Sequence, residues 1–352
     1  MTSVLLPTRR WTPACEELLA QVGSDDELLF VCDAPDDPIA THPRLRAAIE
    51  NGGDGADESG DDGEKASNNG DGNSDGGKNS DGDAGDASVR LLVAGEPTGC
   101  SGKANAIAHG LERAAPDQRR FVWTDADFAH AEGWLARLEA LGERHGPVSG
   151  VPVFVSEGWA WRLFEPAGAV LGSLAIERAD RVWGGCVTFT RGDVNLDALV
   201  GDLRRTVSDD GLLWEHLAAE YGGPGVTTTR EFVSEVPVAG TPRAVANRAV
   251  RNNRIVYMTD PAGARRGLLG LVLFAGLSLL APAVAAGLAT LVAAATYRYL
   301  GVRRWTWLLA WPAFLLAPLG LAAGVLGREF RWGGRRYRWR SKFDVQVLSS
   351  ES

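Results

Sequence analysis

Carboxylates that could do chemistry stand at three places in the chain. Asp125 and Asp127 lie one residue apart in RRFVWTDADFAH, at the end of an apolar run, where a solvated turn would more often carry Gly or Asn. Oxygen ligands of this kind suit Mg2+ or Mn2+, which are usually shared with substrate phosphates. Asp33 and Asp37 lie in CDAPDDP, again just past an apolar run. Asp209 and Asp210 open a helix in VSDDGLLWEHL. Capping explains that pair as well as catalysis does: Ser208 or Asp209 suits the cap, and Asp210 could take a proton from an acceptor hydroxyl.

Basic residues offer the complementary charge. Lys103, in CSGKANAIAHG, starts a helix and could reach a phosphate, although the G-x-x-x-x-G-K-[ST] frame of a nucleotide-binding loop is absent. Arg251 and Arg254, in RNNRI, share one face of an amphipathic helix. They make either a basic patch beside a membrane or two guanidinium forks that clamp a diphosphate. The five histidines form no ligand cluster, and the four cysteines have no CxxC spacing, so neither a zinc site nor a disulfide framework is expected.

The elements that would position these groups alternate. SVLLP, DELLFVC, VRLLVAG and RRFVWT read as buried strands. TPACEELLAQVG carries an N-cap Thr, a Pro at the first helical position and a closing Gly. RLRAAIE, GKANAIAHGLERAA, AEGWLARLEALGERHG and SDDGLLWEHLAAEYG read as further helices, VWGGCVTFTRGDV as a small hairpin and VTTTREFVSEV as a late strand. Alternation of this kind predicts an α/β fold, a mainly parallel sheet with helices on both faces. Ligands of such sheets bind beyond the carboxyl ends of the strands, where Asp33–Asp37 and Asp125–Asp127 fall.

Charge is spread unevenly. Residues 51–88 hold nine Asp, two Glu and two Lys, which equals the net charge of −9 of the whole chain. This Gly/Asp/Asn-rich insert has almost no apolar residues and is expected to be disordered, and its irregular spacing does not fit a calcium loop. The remainder is near neutral and has no basic stripe, so nucleic acid is not an expected partner. The N-terminus has no signal-peptide pattern, which places the soluble part in the cytosol.

Residues 268–300 and 305–326 are nearly free of charge. The second is the length of one crossing; the first is longer and contains Pro282, so it is one kinked span or two short ones. Two spans are favoured over three or four, because the Arg-rich tail REFRWGGRRYRWRSK belongs on the cytosolic side with the soluble domain. Trp305, Trp307, Trp332, Tyr337 and Trp339 suit the headgroup zone.

Taken in order, VLLPT, CDAPDDP, GKANA, WTDADF, SGVP, WGGCVTFTRGDV, SDDGLL and RNNRI, followed by apolar spans, resemble the ceramide glucosyltransferase-like group of family 2 type glycosyltransferases. The resemblance implies a GT-A fold and an inverting transfer from a nucleotide-sugar donor, UDP-linked, to a lipid acceptor. It implies a multi-pass cell-membrane protein with residues 1–50 and 89–260 as a cytosolic catalytic domain, 266–327 as transmembrane helices and 328–352 as a cytosolic tail. By motif position it places Asp33 or Asp37 at the nucleoside, the proline after Asp37 favouring Asp37, with Asp125 and Asp127 at the metal, Arg251 and Arg254 at the donor phosphates, which Lys103 could also reach, and Asp210 as the base. Trp183 and Gly184 would line the acceptor side. Ile255 departs from the family motif, which has Trp there. Transfer to a polyprenyl phosphate or a polysaccharide, and a degenerate non-catalytic binding protein, are the alternatives.

Overall fold

A computed structural model describes residues 1–51 and 88–350. Residues 52–87, almost all of the expected disordered insert, lie outside the described residues.

The first half alternates as its pattern predicts: β1 (Thr2–Pro7), α1 (Pro13–Leu19), β2 (Glu27–Cys32), α2 (Pro43–Asn51), β3 (Ser88–Val93), α3 (Gly102–Arg113), β4 (Arg120–Thr124), α4 (Trp134–His145) and β5 (Val148–Ser156). A chain of short helical turns over 159–178 follows: α5 (Trp159–Arg162), α6 (Glu165–Gly168), a π turn (Ala169–Ser173) and α7 (Leu174–Arg178). Then come β6 (Cys186–Thr190), α8 (Leu196–Leu203), α9 (Asp209–Tyr221), β7 (Thr227–Val238) and α10 (Pro242–Thr259).

The strands form one seven-stranded sheet in the order β3-β2-β1-β4-β6-β5-β7. Only β6 runs against its neighbours β4 and β5; the remaining pairings are parallel. The segment expected to be a hairpin is therefore a single reversed strand. It finds its partners across the sheet because Cys186–Phe189 are buried on both faces of the strand. Helices α3, α8 and α9 pack on one face through Ile107, Leu111, Leu199, Leu203 and Leu213. Helices α1, α2 and α4 cover the other through Leu18, Leu45, Leu135 and Leu138. This is the expected mixed sheet between helical layers. Strand β1 has β2 on one side and the central strand β4 on the other, so the connections leave in opposite directions and open a crevice at the strand ends.

The apolar region departs from two spans. Pro282 divides it, giving α11 (Pro261–Leu280) and α12 (Pro282–Leu300); a 3-10 turn (Trp305–Leu309) leads into α13 (Ala310–Leu326). Three helices are thus long and apolar enough to cross a membrane. The break has a local cause: proline has no amide to continue the hydrogen-bond ladder, and Ala281 before it leaves the helical region, with φ −145° and ψ 70°. These helices are joined to the sheet domain through buried Glu165. Its carboxylate accepts from Arg304 Nε at 2.6 Å and Nη2 at 3.1 Å, from Thr306 and from the Ser156 amide.

The tail is a folded sheet. Strands β8 (Glu329–Trp332), β9 (Arg335–Ser341) and β10 (Asp344–Ser350) pair antiparallel in sequence order. Tyr337 and Trp339 are buried in a cluster with Val207, Phe330 and Val345, not set out toward headgroups. Arg336, Arg338 and Arg340 alternate with them and face outward.

Candidate active site

The turn after β2 holds the first carboxylates. Asp37 Oδ2 accepts from the amides of Asp33 and Ala34, both at 2.9 Å, and Oδ1 accepts from Arg9 Nε at 2.8 Å. Asp37 thus holds the turn from beneath, and Asp33 is the one that lines the crevice. Asp125 and Asp127 leave the end of β4 into the same crevice. The reversal of β6 brings its leading residues alongside: Thr124 Oγ1 donates to Gly185 O at 2.9 Å, and a Cβ on Gly185 would lie 2.9 Å from Asp125 Oδ2.

Helix α9 supplies the next pair. Ser208, not Asp209, is the cap; its hydroxyl accepts from the Gly211 amide at 3.1 Å. Asp209 is buried and faces Lys103. Asp210 Oδ1 accepts from Ser208 Oγ at 2.6 Å and from the Gly211 amide at 2.7 Å, while its other oxygen has no partner among the described residues. Both aspartates line the crevice.

Lys103 sits among the acids. Its ammonium is 2.7 Å from Asp125 Oδ1 and 3.2 Å from Asp209 Oδ2, and it donates to Gly184 O at 3.0 Å. Burial works against the ammonium, but Asp125 and Asp209 outweigh it and hold its pKa above the ordinary lysine value. Burial lifts Asp125 to about 6 against the pull of Lys103, and lifts Asp209 likewise to about 6. The ammonium therefore balances carboxylates within the crevice that it lines. Gly184 leaves it room, since a Cβ there would meet Asp209 Oδ2. Trp183 lines the crevice beside them.

Helix α10 carries the cationic wall, and here the register differs from expectation. Arg251 lines the crevice, but Arg254 does not. Arg254 is buried and donates to Trp339 O at 3.1 and 2.7 Å, to Arg340 O at 3.2 Å and to Val325 O at 3.2 Å. It ties α10 to α13 and the tail sheet. The second guanidinium that α10 brings to the crevice is that of Arg248, one turn before Arg251; its buried Nη1 has no hydrogen-bond partner among the described residues. Burial lowers the pKa of Arg248; burial and then Arg248 lower Arg251 to about 9, and both face Asp125 and Asp127. Two desolvated forks with a free donor suit an anion with several oxygens.

Arg254→Ala is accordingly expected to cost about 2 to 3 kcal/mol of stability by orphaning buried carbonyls. Arg251→Ala should leave stability nearly intact. Thermal melting of the two variants checks the contrast.

The crevice encloses about 690 Å3. Among the described residues no group of three or more His, Cys, Asp or Glu could hold a metal ion unaided. Two oxygen donors are nonetheless available: Asp127 has no hydrogen-bond or ion-pair partner among the described residues, and Asp125 Oδ2 is not held by Lys103. That set fits a hard cation whose remaining ligands come from a diphosphate and water.

No protein-family model matches the chain, and no curated protein matches it. Among solved structures it is similar to glucosyl-3-phosphoglycerate synthase from Mycobacterium tuberculosis bound to phosphoglyceric acid, with 15% identity over 73% of this chain and 77% of that one and a TM-score of 0.37. The same protein with Mn2+ and UDP-glucose aligns at 15% identity, over 73% and 76%, with a TM-score of 0.38. A mycobacterial protein aligns at 15% identity, over 73% and 72%, also at 0.38.

Proposed function

We propose that the chain is an inverting, metal-dependent glycosyltransferase of GT-A type that moves a sugar from a UDP-linked donor to a lipid acceptor. One observation carries the reading. Carboxylates from three separate parts of the chain (Asp33, Asp125 with Asp127, and Asp210) meet Arg248 and Arg251 in a single crevice at the strand ends.

The donor's diphosphate lies between the α10 guanidiniums and the Asp125–Asp127 turn. Asp125 and Asp127 would hold Mg2+ or Mn2+, which neutralises diphosphate charge when bound. Asp210 presents its unpartnered oxygen to the acceptor hydroxyl and takes its proton. The acceptor oxygen bonds to the anomeric carbon as the bond to the diphosphate oxygen breaks. The electron pair leaves on the diphosphate, where Arg248 and Arg251 receive it. Attack from the opposite side inverts the configuration. Ser208 and the Gly211 amide fix the Asp210 rotamer. Trp183 and Gly184 form the acceptor side. The three apolar helices support a membrane-held protein whose acceptor arrives from lipid.

Incubating membranes that contain the protein with a panel of labelled nucleotide sugars tests this directly. Label from one UDP-sugar should appear in the lipid extract; label from no donor in any extract would sink the reading.

A further inference from the structure

The turn between β8 and β9 closes one end of the crevice. Trp332, Gly333, Gly334 and Arg335 line it, opposite Thr8, Arg9 and Asp33. Gly333 and Gly334 have φ of +55° and +74°, as a two-residue turn of the primed type requires, so the hairpin is tight and its aim is set. Arg335 is 3% exposed, and Nη1 donates to Asp33 Oδ2 at 2.6 Å. Its Nε and Nη2 donate to Glu96 Oε2 at 3.0 and 2.8 Å. Arg9 approaches the same Asp33 oxygen at 3.5 Å and donates to Gly333 O at 3.4 Å. Tyr337 Oη accepts from the Gly102 amide at 3.1 Å, which docks β9 on the start of α3. With Oδ2 gripped from two sides, Asp33 Oδ1 is left without a partner among the described residues.

We propose that Arg335 is a positioning residue for the nucleoside half of a nucleoside diphosphate. It holds Asp33 in one rotamer, so that Oδ1 receives a hydrogen bond from a ribose hydroxyl or the imide of the base beneath the Gly333–Gly334 turn. The crevice then has two ends. Arg248, Arg251 and the Asp125–Asp127 turn face phosphate, while Asp33, Arg9 and the tail hairpin face nucleoside. This assignment rests on the glycosyltransferase reading and adds to it a segment that follows the apolar helices.

The test uses the full chain in detergent, with UDP and inorganic pyrophosphate as probes in calorimetric titrations with Mg2+ present. Arg335→Ala is expected to weaken UDP about tenfold or more and leave pyrophosphate within about twofold, because only the nucleoside loses a charge-assisted partner. Asp33→Asn should give the same split and serves as the second arm where Arg335→Ala does not fold. A folded variant that keeps UDP affinity within about twofold, or loses both probes in parallel, overturns the role of Arg335. Wild-type protein that binds neither UDP nor any UDP-sugar would instead overturn the glycosyltransferase reading and this assignment with it.

Discussion

Asp210→Asn is expected to lower kcat for sugar transfer by about a thousandfold, with UDP affinity nearly unchanged. Asn keeps the shape and can still accept from Ser208 and the Gly211 amide, so α9 and its cap survive. It cannot take the acceptor's proton. Asp209→Asn provides the contrast: Asp209 is buried against Lys103, so its loss acts on the charge balance of the site and on stability. Turnover beside UDP titration for both variants decides between them. An Asp210→Asn enzyme with full activity would remove Asp210 from the mechanism.

Lys103→Met has the largest expected effect on stability. It leaves Asp125 and Asp209 without their shared counter-ion, and breaking a buried pair from one side costs about 3 to 5 kcal/mol. Both carboxyls already stand at about 6 with the ammonium present. A carboxyl raised above its unfolded value favours folding while protonated and opposes it as pH climbs through the folded value. Without Lys103 the opposition grows, so the variant's deficit is greatest near pH 8 and smallest near pH 5. Millimolar Mn2+ should recover part of the loss at pH 8 by supplying the missing positive charge. Melting curves at the two pH values, with and without metal, check each part. A deficit independent of pH would show that the ammonium is not balancing those acids.

Much of the frame is legible in the residues. Thr12 and Pro13 announce α1, and the apolar runs VLLP and LLFVC mark β1 and β2 as strands buried on both faces. Asp33, Asp125 and Asp210 stand out because each interrupts or caps a pattern at an element's end. The order of strands is another matter. β6 pairs with β4 and β5, both distant from it in the chain, and nothing local in VWGGCVTFT distinguishes that from a hairpin.

The arginines show the same limit more sharply. Residues 248, 251 and 254 repeat every three positions, and each step rotates the side chain back by about 60°. Spacing alone admits 248 with 251, or 251 with 254. The choice is made by Trp339 and Arg340, whose carbonyls claim Arg254 from 85 and 86 residues away. The tail itself carried a readable signal. In RRYRWRS, Tyr337 and Trp339 alternate with arginines after a Gly-Gly pair, which is a hairpin pattern.

Only residues 327 and 328 separate α13 from β8. Higher up, α13 lies so near α10 that a Cβ on Gly324 would come within 2.5 Å of Asn253 Cβ. A joint so short has no slack. In the proposed membrane-held enzyme, a shift in how deep these helices sit would be passed to the hairpin and to the arginine-bearing helix. Acyl-chain length would then bear on a reaction whose bonds are made and broken outside the bilayer.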